Sequence, residues 1–344
     1  MSWLTYLRRS VAAKVPATSN PPGPAPELLP IASDGTNPIH RLLDDTGLPW
    51  HEPRRDLERR IGVTEDPFYR KPVLCFADAA SPPGLLQPWQ AAVFERYAPD
   101  MPVVRFTGLT WFADNAATNM ERTAEFFAAR LGPAPVGQEY NTLACRWKAG
   151  AASLKLQCWP PAWQYPDLRN DAYAREPRLA TACHVTLLTG FRLPLSSEEK
   201  AWVEAFRPIA DTRSFLAPPA GGLVDSAPGD TEVEYARDPA GYLPNVQNRV
   251  GCPPRCEALI LCTNQLFVLR ANDVLGFEVL RLLPAKGGGG STLLVRCRTS
   301  CTGMAYKTLH VAQHGEPDGM VPLGRELAAL FNKPCEVSRY FDDV

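Results

Sequence analysis

The chain has 344 residues and a formal net charge of -1 at pH 7, so it is long enough for two domains of ordinary size. This charge balance argues against a nucleic-acid partner, because binding to phosphates needs clustered lysine and arginine. The 35 prolines are about twice the usual share, while the hydrophobic fraction of 45% is ordinary. We therefore expect a folded protein with many rigid, irregular connections.

The N-terminal region, residues 1–35, is predicted to be a short helix followed by a proline-rich linker. Trp3, Leu4 and Leu7 would share one face of the helix, and the prolines of Pro16–Pro30 favour an extended chain. The region lacks the uninterrupted apolar run of a signal peptide, and no stretch of the chain has the roughly 18 apolar residues of a membrane helix. We expect a cytoplasmic protein without stable membrane insertion, in which the 10 cysteines remain thiols.

Residues 36–215 are predicted to form an α+β domain. Thr118 and Glu121 can form a capping box at the start of a helix, and Gly132 with the proline after it would end that helix. The order of strands and helix predicts an antiparallel sheet with covering helices. The elements predicted before this helix are a strand at Pro72–Ala77, a helix around Pro88–Tyr97 and a strand near Val103–Phe112.

The clearest predicted element is a hairpin within Asn141–Tyr165. Apolar and polar residues alternate on both sides of the small-residue turn Ala149–Ala152. Successive side chains of a strand point to opposite faces, so this alternation predicts one apolar and one polar face. The apolar face would hold Leu143, Cys145, Trp147, Leu154, Leu156 and Cys158.

The second half of the chain is predicted to begin with a strand before Gly190 and a helix that Ser196 and Glu199 cap. Residues 216–245 are rich in proline, glycine and acidic residues, which indicates a linker. Residues 246–344 are predicted to be a smaller, barrel-like β-meander with a C-terminal helix through Leu323–Phe331. The predicted strands are Ala258–Thr263, Leu266–Arg270, Val274–Leu283, Thr292–Arg298 and Tyr306–Ala312. Over roughly the last 90 residues, this order of strands and helix looks like a pleckstrin-homology-like barrel. The resemblance concerns the fold alone and implies no function.

Two CxxxC pairs are the only candidates for a metal site that the spacing offers. Cys252 with Cys256 and Cys297 with Cys301 could supply four thiolates to a tetrahedral zinc ion. The spacing differs from the usual two-residue knuckle, and Cys297 alternates within a predicted strand. We therefore expect separate thiols and no metal, with zinc as the alternative.

The histidines give no sign of a catalytic site. His310 and His314 lie on a predicted strand, where their spacing separates them by about 13 Å, too far for one metal ion. His184 lies mid-strand without a neighbouring carboxylate in sequence, which favours a structural role. The motifs of phosphate loops, nucleophile elbows and zinc proteases are absent. We expect no catalytic residue and no cofactor.

Two surface segments are candidates for binding a partner. After the hairpin, three large aromatic residues lie in a proline-stiffened segment, and such rings often anchor protein interfaces. The acidic stretch Asp225–Asp238 could complement a basic partner. The alternatives are rings that pack back onto a domain and a solvated acidic linker. The candidate partner-binding residues are Trp159, Trp163, Tyr165, Asp230, Glu232 and Glu234.

The chain resembles the immunity proteins that bacteria keep against their own contact-dependent or type VI secreted toxins. The resemblance rests on the near-neutral charge, the missing catalytic motifs and the hairpin that ends in WPPAWQY. The resemblance covers at best Pro72–Pro208 and transfers no functional residue. It implies a non-catalytic cytoplasmic protein that sequesters or occludes a cognate toxin.

Two alternative functions stay open. One is a hydrolytic or metal-dependent enzyme whose interdomain site uses His184 or the C-terminal cysteines and histidines, and the other is a scaffold component of a secretion apparatus. The sequence predicts no oligomeric state.

Overall fold

The fold is described from a computed structural model of the chain. The residues described are 36–93, 98–139, 142–158, 176–212, 233–238, 241–262, 265–283, 289–301 and 303–342. They form helices and mostly antiparallel sheets, which confirms the predicted α+β class. Two compact units divide between Phe191 and Arg192, and each is described by itself. Within the described ranges, no helix is both long and apolar enough to span a membrane.

The N-terminal unit is built on one large, eight-stranded sheet with the order β1-β2-β3-β4-β8-β7-β6-β5. A 3-10 helix at Pro177–Ala180 precedes the last strand in the chain. The helices are α1 (Pro38–Thr46), α2 (Arg54–Ile61) and α3 (Ala116–Leu131). The strands are β1 (Thr64–Glu65), β2 (Pro72–Phe76), β3 (Trp89–Ala92), β4 (Arg105–Thr110), β5 (Val136–Glu139), β6 (Thr142–Ala149), β7 (Ala152–Cys158) and β8 (Cys183–Leu188).

The predicted hairpin is confirmed as β6 and β7, with Ala149 opposite Ala152 across the turn. The core of the unit includes most of its predicted apolar face, and Trp147 packs near Phe127 of α3 with their ring centroids 6.3 Å apart. Gly150 has φ +60°, a left-handed conformation that a tight hairpin turn needs and that glycine adopts without strain. The helices therefore cover one face of the large sheet. The other face carries polar side chains and a smaller apolar cluster at Leu109 and Leu179.

The large sheet consists of two halves with the same order of elements. In each half a helix precedes four strands, and the fourth strands, β4 and β8, pair at the centre with Thr107 opposite Thr186. Both helices end at a glycine with positive φ, +74° at Gly62 and +82° at Gly132. Each of these glycines donates its N–H to the carbonyl of the preceding turn. The order of strands is therefore the same on both sides of the Thr107–Thr186 pair.

Two local predictions in this unit are wrong. The helix expected around Pro88–Tyr97 is β3 over its described part, because Cys75 and Thr107 on the flanking strands both pair with Gln90. The N-cap of α3 is Asn115 rather than Thr118, since the Asn115 side chain accepts the N–H groups of the second and third helical residues. At β3, pairing with two neighbouring strands outweighs the local helical pattern. At the start of α3, the cap by Asn115 replaces the capping box predicted at Thr118.

The C-terminal unit contains two smaller sheets, with the orders β10-β13-β12-β11-β9 and β16-β15-β14-β17. Its helices are α4 (Ser197–Glu204), α5 (Leu243–Val246) and α6 (Val321–Phe331). Its strands are β9 (Arg207–Asp211), β10 (Ala236–Arg237), β11 (Arg249–Cys252), β12 (Ala258–Cys262), β13 (Leu266–Arg270), β14 (Val274–Leu283), β15 (Gly290–Cys297), β16 (Lys307–His314) and β17 (Cys335–Asp342). The five predicted strands are confirmed as β12 to β16, and the predicted final helix is α6.

The division between the units lies earlier than the predicted linker at 216–245. β9 pairs with β11, and β10 pairs with β13, so segments on both sides of the acidic stretch belong to one sheet. Ser196 and Glu199 form the predicted capping box of α4, and Glu199 is also ion-paired with Arg237 of β10. Residues 192–212, which the prediction placed in the first domain, therefore belong to the C-terminal unit.

Candidate binding site on the polar face of the large sheet

One row of side chains runs across the polar face of the large sheet. Directly opposed residues of neighbouring antiparallel strands point to the same face, so the pairing register defines the row. Gln90 is only 3% exposed, and the other members are partly exposed. The half on β2, β3 and β4 is neutral, and the two basic residues lie beyond the central pair. From β2 to β6 the row consists of Cys75, Gln90, Thr107, Thr186, Lys155 and Arg146.

A cavity of about 200 Å³ opens to solvent on the neutral half of this row. It is smaller than the roughly 300–1,000 Å³ pockets that hold drug-sized ligands, and its size suits a single side chain or a small polar molecule. Among the described residues that line it there is one carboxylate and no lysine or arginine. The lining residues with polar side chains include Asp66, Tyr69, Gln87, Gln90, Thr107 and His184.

Asp66 follows β1 directly and is 3% exposed. Its Oδ1 accepts the backbone N–H groups of Phe68 at 2.8 Å and Tyr69 at 2.6 Å, which closes a tight turn. Its Oδ2 accepts a bond from Gln87 Nε2 at 3.3 Å. That bond is long and comes from a neutral amide, so Oδ2 keeps capacity for a stronger, charge-assisted donor.

Gln87 is 9% exposed and lines the cavity, and one atom of its amide is buried and unsatisfied. Its Nε2 points at the Asp66 carboxylate, and this contact fixes which end of the amide is the oxygen. Its Oε1 has no hydrogen-bond partner in the part of the chain that the structure describes. A buried acceptor in this state costs about 1–3 kcal/mol, which a ligand that donates an N–H group would recover.

His184 lies on β8 between Leu109 of β4 and Gln157 of β7. His184 is among the residues that line the cavity, and burial of the imidazole lowers the pKa of His184 to about 4. The ring is therefore uncharged at neutral pH and adds no positive charge to the cavity. The sequence placed this histidine mid-strand, as observed.

The arrangement as a whole is an acceptor site. The Asp66 carboxylate supplies one negative charge, the Gln87 amide supplies a second oxygen, and threonine hydroxyls such as that of Thr107 complete the polar wall. Such a set suits an ammonium or guanidinium group, which carries donors and no acceptor.

The structure describes one of the six predicted partner-binding residues, Glu234. Trp159, Trp163, Tyr165, Asp230 and Glu232 lie outside the described residues.

Glu234 is described, and both of its carboxylate oxygens are used within the C-terminal unit. Oε1 bonds the Thr299 hydroxyl, and Oε2 accepts the Ser300 N–H at 2.9 Å and the Ser300 hydroxyl at 2.5 Å. Glu234 thus fixes the loop after β15, which differs from the partner-binding role expected of it.

The four cysteines of the alternative zinc site do not come together. Cys252 and Cys256 form a close pair with sulfurs 3.0 Å apart. Cys297 is buried and its Sγ donates to the Lys307 carbonyl at 3.5 Å, while Cys301 is buried in the loop after β15. Over the described ranges, no group of three or more histidine, cysteine or acidic side chains is placed to hold a metal ion.

Apart from His184, whose sequence context favoured a structural role with the enzyme site as the alternative, the residues that form the cavity were not singled out by their sequence pattern. Asp66 stands before a proline at the end of a strand, which is a turn signal and agrees with the observed turn. Its contact with Gln87 and its position near His184 depend on the pairing of strands that are far apart in sequence. Only the sheet order brings these groups to one place.

No protein-family model matches the chain, and comparisons with curated proteins and with solved structures found no match either. The resemblances to immunity proteins and to pleckstrin-homology-like barrels therefore stay predictions.

Proposed function

We propose that this chain is a non-catalytic binding protein that occludes a partner protein, and that a lysine or arginine side chain of the partner enters the cavity beside Asp66. The observation that carries the proposal is that two residues lining an open cavity hold buried acceptors, Asp66 Oδ2 and the unpartnered Gln87 Oε1, which a small side-chain movement would turn toward a ligand. A cationic side chain would satisfy both, and hydrogen bonds to charged groups are about twice as strong as neutral ones.

The partner we propose is a cognate bacterial toxin bound in the cytoplasm, as the resemblance to immunity proteins implies. The aromatic segment that begins at Trp159 directly follows Cys158 in the chain, and Cys158 ends the strand whose Gln157 lies opposite His184. This closeness in sequence is why Trp159, Trp163 and Tyr165 remain part of the proposed surface. Loss of partner affinity in the double variant Trp159→Ala with Trp163→Ala is the expected outcome.

Small probes test the cavity without knowledge of the partner. N-acetyl-arginine methylamide is titrated into the full chain and followed by amide NMR shifts, with the uncharged citrulline derivative as the matched probe. We expect weak, saturable shifts near Asp66 with the arginine probe, and at least fivefold weaker binding in Asp66→Asn, which keeps the oxygen that the turn needs. Asp78→Asn removes the same charge at an exposed position and is the control. Equal binding of both probes, or unchanged binding in Asp66→Asn, would contradict the proposal.

A photo-crosslinking residue tests the partner itself in the source cell. Placed at Arg105, which is exposed on β4 two residues before Thr107 and so lies on the same face, it should give one discrete adduct that disappears when Asp66→Asn is added. The same residue placed at Glu121, exposed on α3, is the control and should not give that adduct. An adduct that survives Asp66→Asn would show that the cavity does not contribute to recognition.

A further inference from the structure

Two thiols in the C-terminal unit lie at close range and have no part in the proposed cavity. Cys252 ends β11, and Cys256 follows it after two prolines and Arg255. Their sulfur atoms are 3.0 Å apart and share a hydrogen bond. The sulfurs of a disulfide are about 2.0 Å apart, so bond formation needs a movement of roughly 1 Å.

The backbone of the turn holds the two sulfurs in this position. The Cys256 N–H donates to the Pro253 carbonyl at 2.8 Å, and the ring of Pro253 restricts its own φ. Cys256 has φ +53°, in the left-handed region that residues with a Cβ seldom adopt. A tight turn of fixed shape thus brings the second thiol back to face the first.

The two thiols differ in exposure. Cys252 is 7% exposed, whereas Cys256 is partly exposed. Burial raises the pKa of Cys252 to about 12, and the hydrogen bond with Cys256 adds to the rise. Cys256 is the more exposed of the two residues, so we expect an oxidant in solution to reach its sulfur first.

We propose that Cys252 and Cys256 form a reversible disulfide by exchange with a low-molecular-weight disulfide, of which oxidised glutathione is the probe. The Cys256 thiolate attacks one sulfur of the oxidant, and one thiolate of the oxidant leaves. Cys252 then loses its proton to solvent and attacks the Cys256 sulfur of the mixed disulfide, which releases the second thiol. Two protein thiols thus lose two electrons and two protons, and the small disulfide becomes two thiols.

The N-terminal unit contains a thiol pair that serves as an internal reference. Cys158 and Cys183 are 1% and 0% exposed in the core, and the hydrogen bond that the Cys158 thiol makes to Cys183, together with burial, raises the pKa of Cys158 strongly. An oxidant cannot reach these sulfurs while the chain is folded. We expect them to stay reduced under conditions that oxidise Cys252 and Cys256.

A tryptic digest tests the bond directly, because Arg255 lies between the two cysteines. The full chain is equilibrated with glutathione mixtures of rising oxidised fraction, alkylated with N-ethylmaleimide and digested. Cleavage after Arg249, Arg255 and Arg270 gives the peptides 250–255 and 256–270, which the disulfide holds together. We expect the linked pair to accumulate in the natural chain, to disappear with dithiothreitol and to fall at least tenfold in Cys256→Ser.

The second peptide also contains Cys262, so Cys262→Ser is the matched control and should retain the linked pair. If Cys256→Ser does not fold by circular dichroism, Cys252→Ser gives the same test from the other sulfur. The proposal is overturned by separately alkylated peptides at every glutathione ratio, or by a linked pair that depends on Cys262 and not on Cys256. Oxidation of Cys158 and Cys183 at the same ratio would also overturn it, because the exposure argument would then fail.

Discussion

Thr107 of β4 and Thr186 of β8 lie directly opposite each other at the centre of the large sheet, and the order of strands is the same on both sides of this pair. The residues that flank this pair in equivalent positions of the two halves differ in charge. Gln90 is the neighbour of Thr107 on β3, and Lys155 is the neighbour of Thr186 on β7. One framework therefore presents a half that contains the cavity and the Asp66 carboxylate, and a half with the basic residues Lys155 and Arg146.

Trp147→Phe should destabilise the N-terminal unit. Trp147 Nε1 donates to the Gly132 carbonyl at 2.7 Å, where α3 ends, and phenylalanine would leave this carbonyl without its donor. We expect a loss of about 1–3 kcal/mol in the free energy of unfolding, measured by urea denaturation with circular dichroism. Trp111→Phe is the matched control, since Trp111 Nε1 is buried and has no partner among the described residues. An equal loss in both variants would contradict the role of the hydrogen bond.

Gly190→Ala should cost more stability than Gly150→Ala, although both glycines have positive φ, +69° and +60°. A Cβ at Gly190 would lie 2.5 Å from the backbone of Ala151 and Ala152, whereas a Cβ at Gly150 meets nothing within 4 Å. We expect about 1 kcal/mol for Gly150→Ala from strain alone and about 1–3 kcal/mol beyond that for Gly190→Ala. Thermal unfolding of the two variants gives the comparison, and equal costs would refute the close approach.

Glu199→Gln should destabilise the C-terminal unit at neutral pH. Burial alone would raise the pKa of Glu199, but the ion pair with Arg237 and the bonds from Ser196 outweigh it and lower the pKa below the usual 4.5. A lowered carboxyl pKa gives stability that is present above about pH 4.5 and is lost as the pH falls through the lower folded value. We expect a cost of about 3 kcal/mol at pH 7 that shrinks below pH 4.

The measurement for this prediction is urea denaturation from pH 3 to pH 8. Glu198→Gln is the control, because Glu198 is 55% exposed and pairs with Arg270 at the surface. A pH-independent cost of Glu199→Gln would show that the charge of the carboxylate is not what stabilises the unit.

His184→Gln should flatten the pH dependence of stability between pH 6.5 and pH 4. Burial lowers the folded pKa of His184 to about 4 from 6.5, so the unfolded chain takes up the proton first and stability falls as the pH drops through this window. The contribution is on the order of 3 kcal/mol. The ring proton shifts of His184 in an NMR titration report the pKa directly. A midpoint near 6.5 would contradict the desolvation argument.

Gln87→Leu should leave the stability of the N-terminal unit nearly unchanged and weaken binding of the arginine probe. The substitution removes a buried acceptor that has no partner in the described part of the chain, and it also removes the long bond to Asp66. These effects oppose each other, and we expect a net change within about 1 kcal/mol. Gln138→Leu, at an exposed position of β5, is the control. Unchanged probe binding in Gln87→Leu would mean that its oxygen is not part of the site.

The sequence predicted the elements whose signals are local. The alternation around Trp147 and the short strands from Ala258 onward follow the two-residue period of a pleated strand, and the Ser196–Glu199 capping box needs only four residues. β3 was missed because Trp89–Ala92 has no strand pattern of its own, and pairing on both sides decides its conformation. β17 was missed because it pairs in parallel with β14 across an intervening helix.

The candidate site could not be predicted from the sequence. Asp66 signals a turn, but nothing near it in sequence points to Gln87 or His184. Burial of a polar glutamine is a tertiary property, and a glutamine that remains partly unsatisfied has no sequence pattern at all. The same holds for the Cys252–Cys256 pair, whose CxxxC spacing suggested a metal and whose turn geometry brings two sulfurs together instead.

The short outer strands of the large sheet limit how another protein can be recognised. β1 is two residues long and β5 is four, so neither described edge offers a long row of free backbone groups to which a partner could add a strand. Recognition at the cavity would then depend on individual side chains rather than on main-chain pairing. Exchange of one basic residue in a partner, or of Asp66 here, would be enough to change which partner is accepted, and specificity could evolve without any change in the sheet.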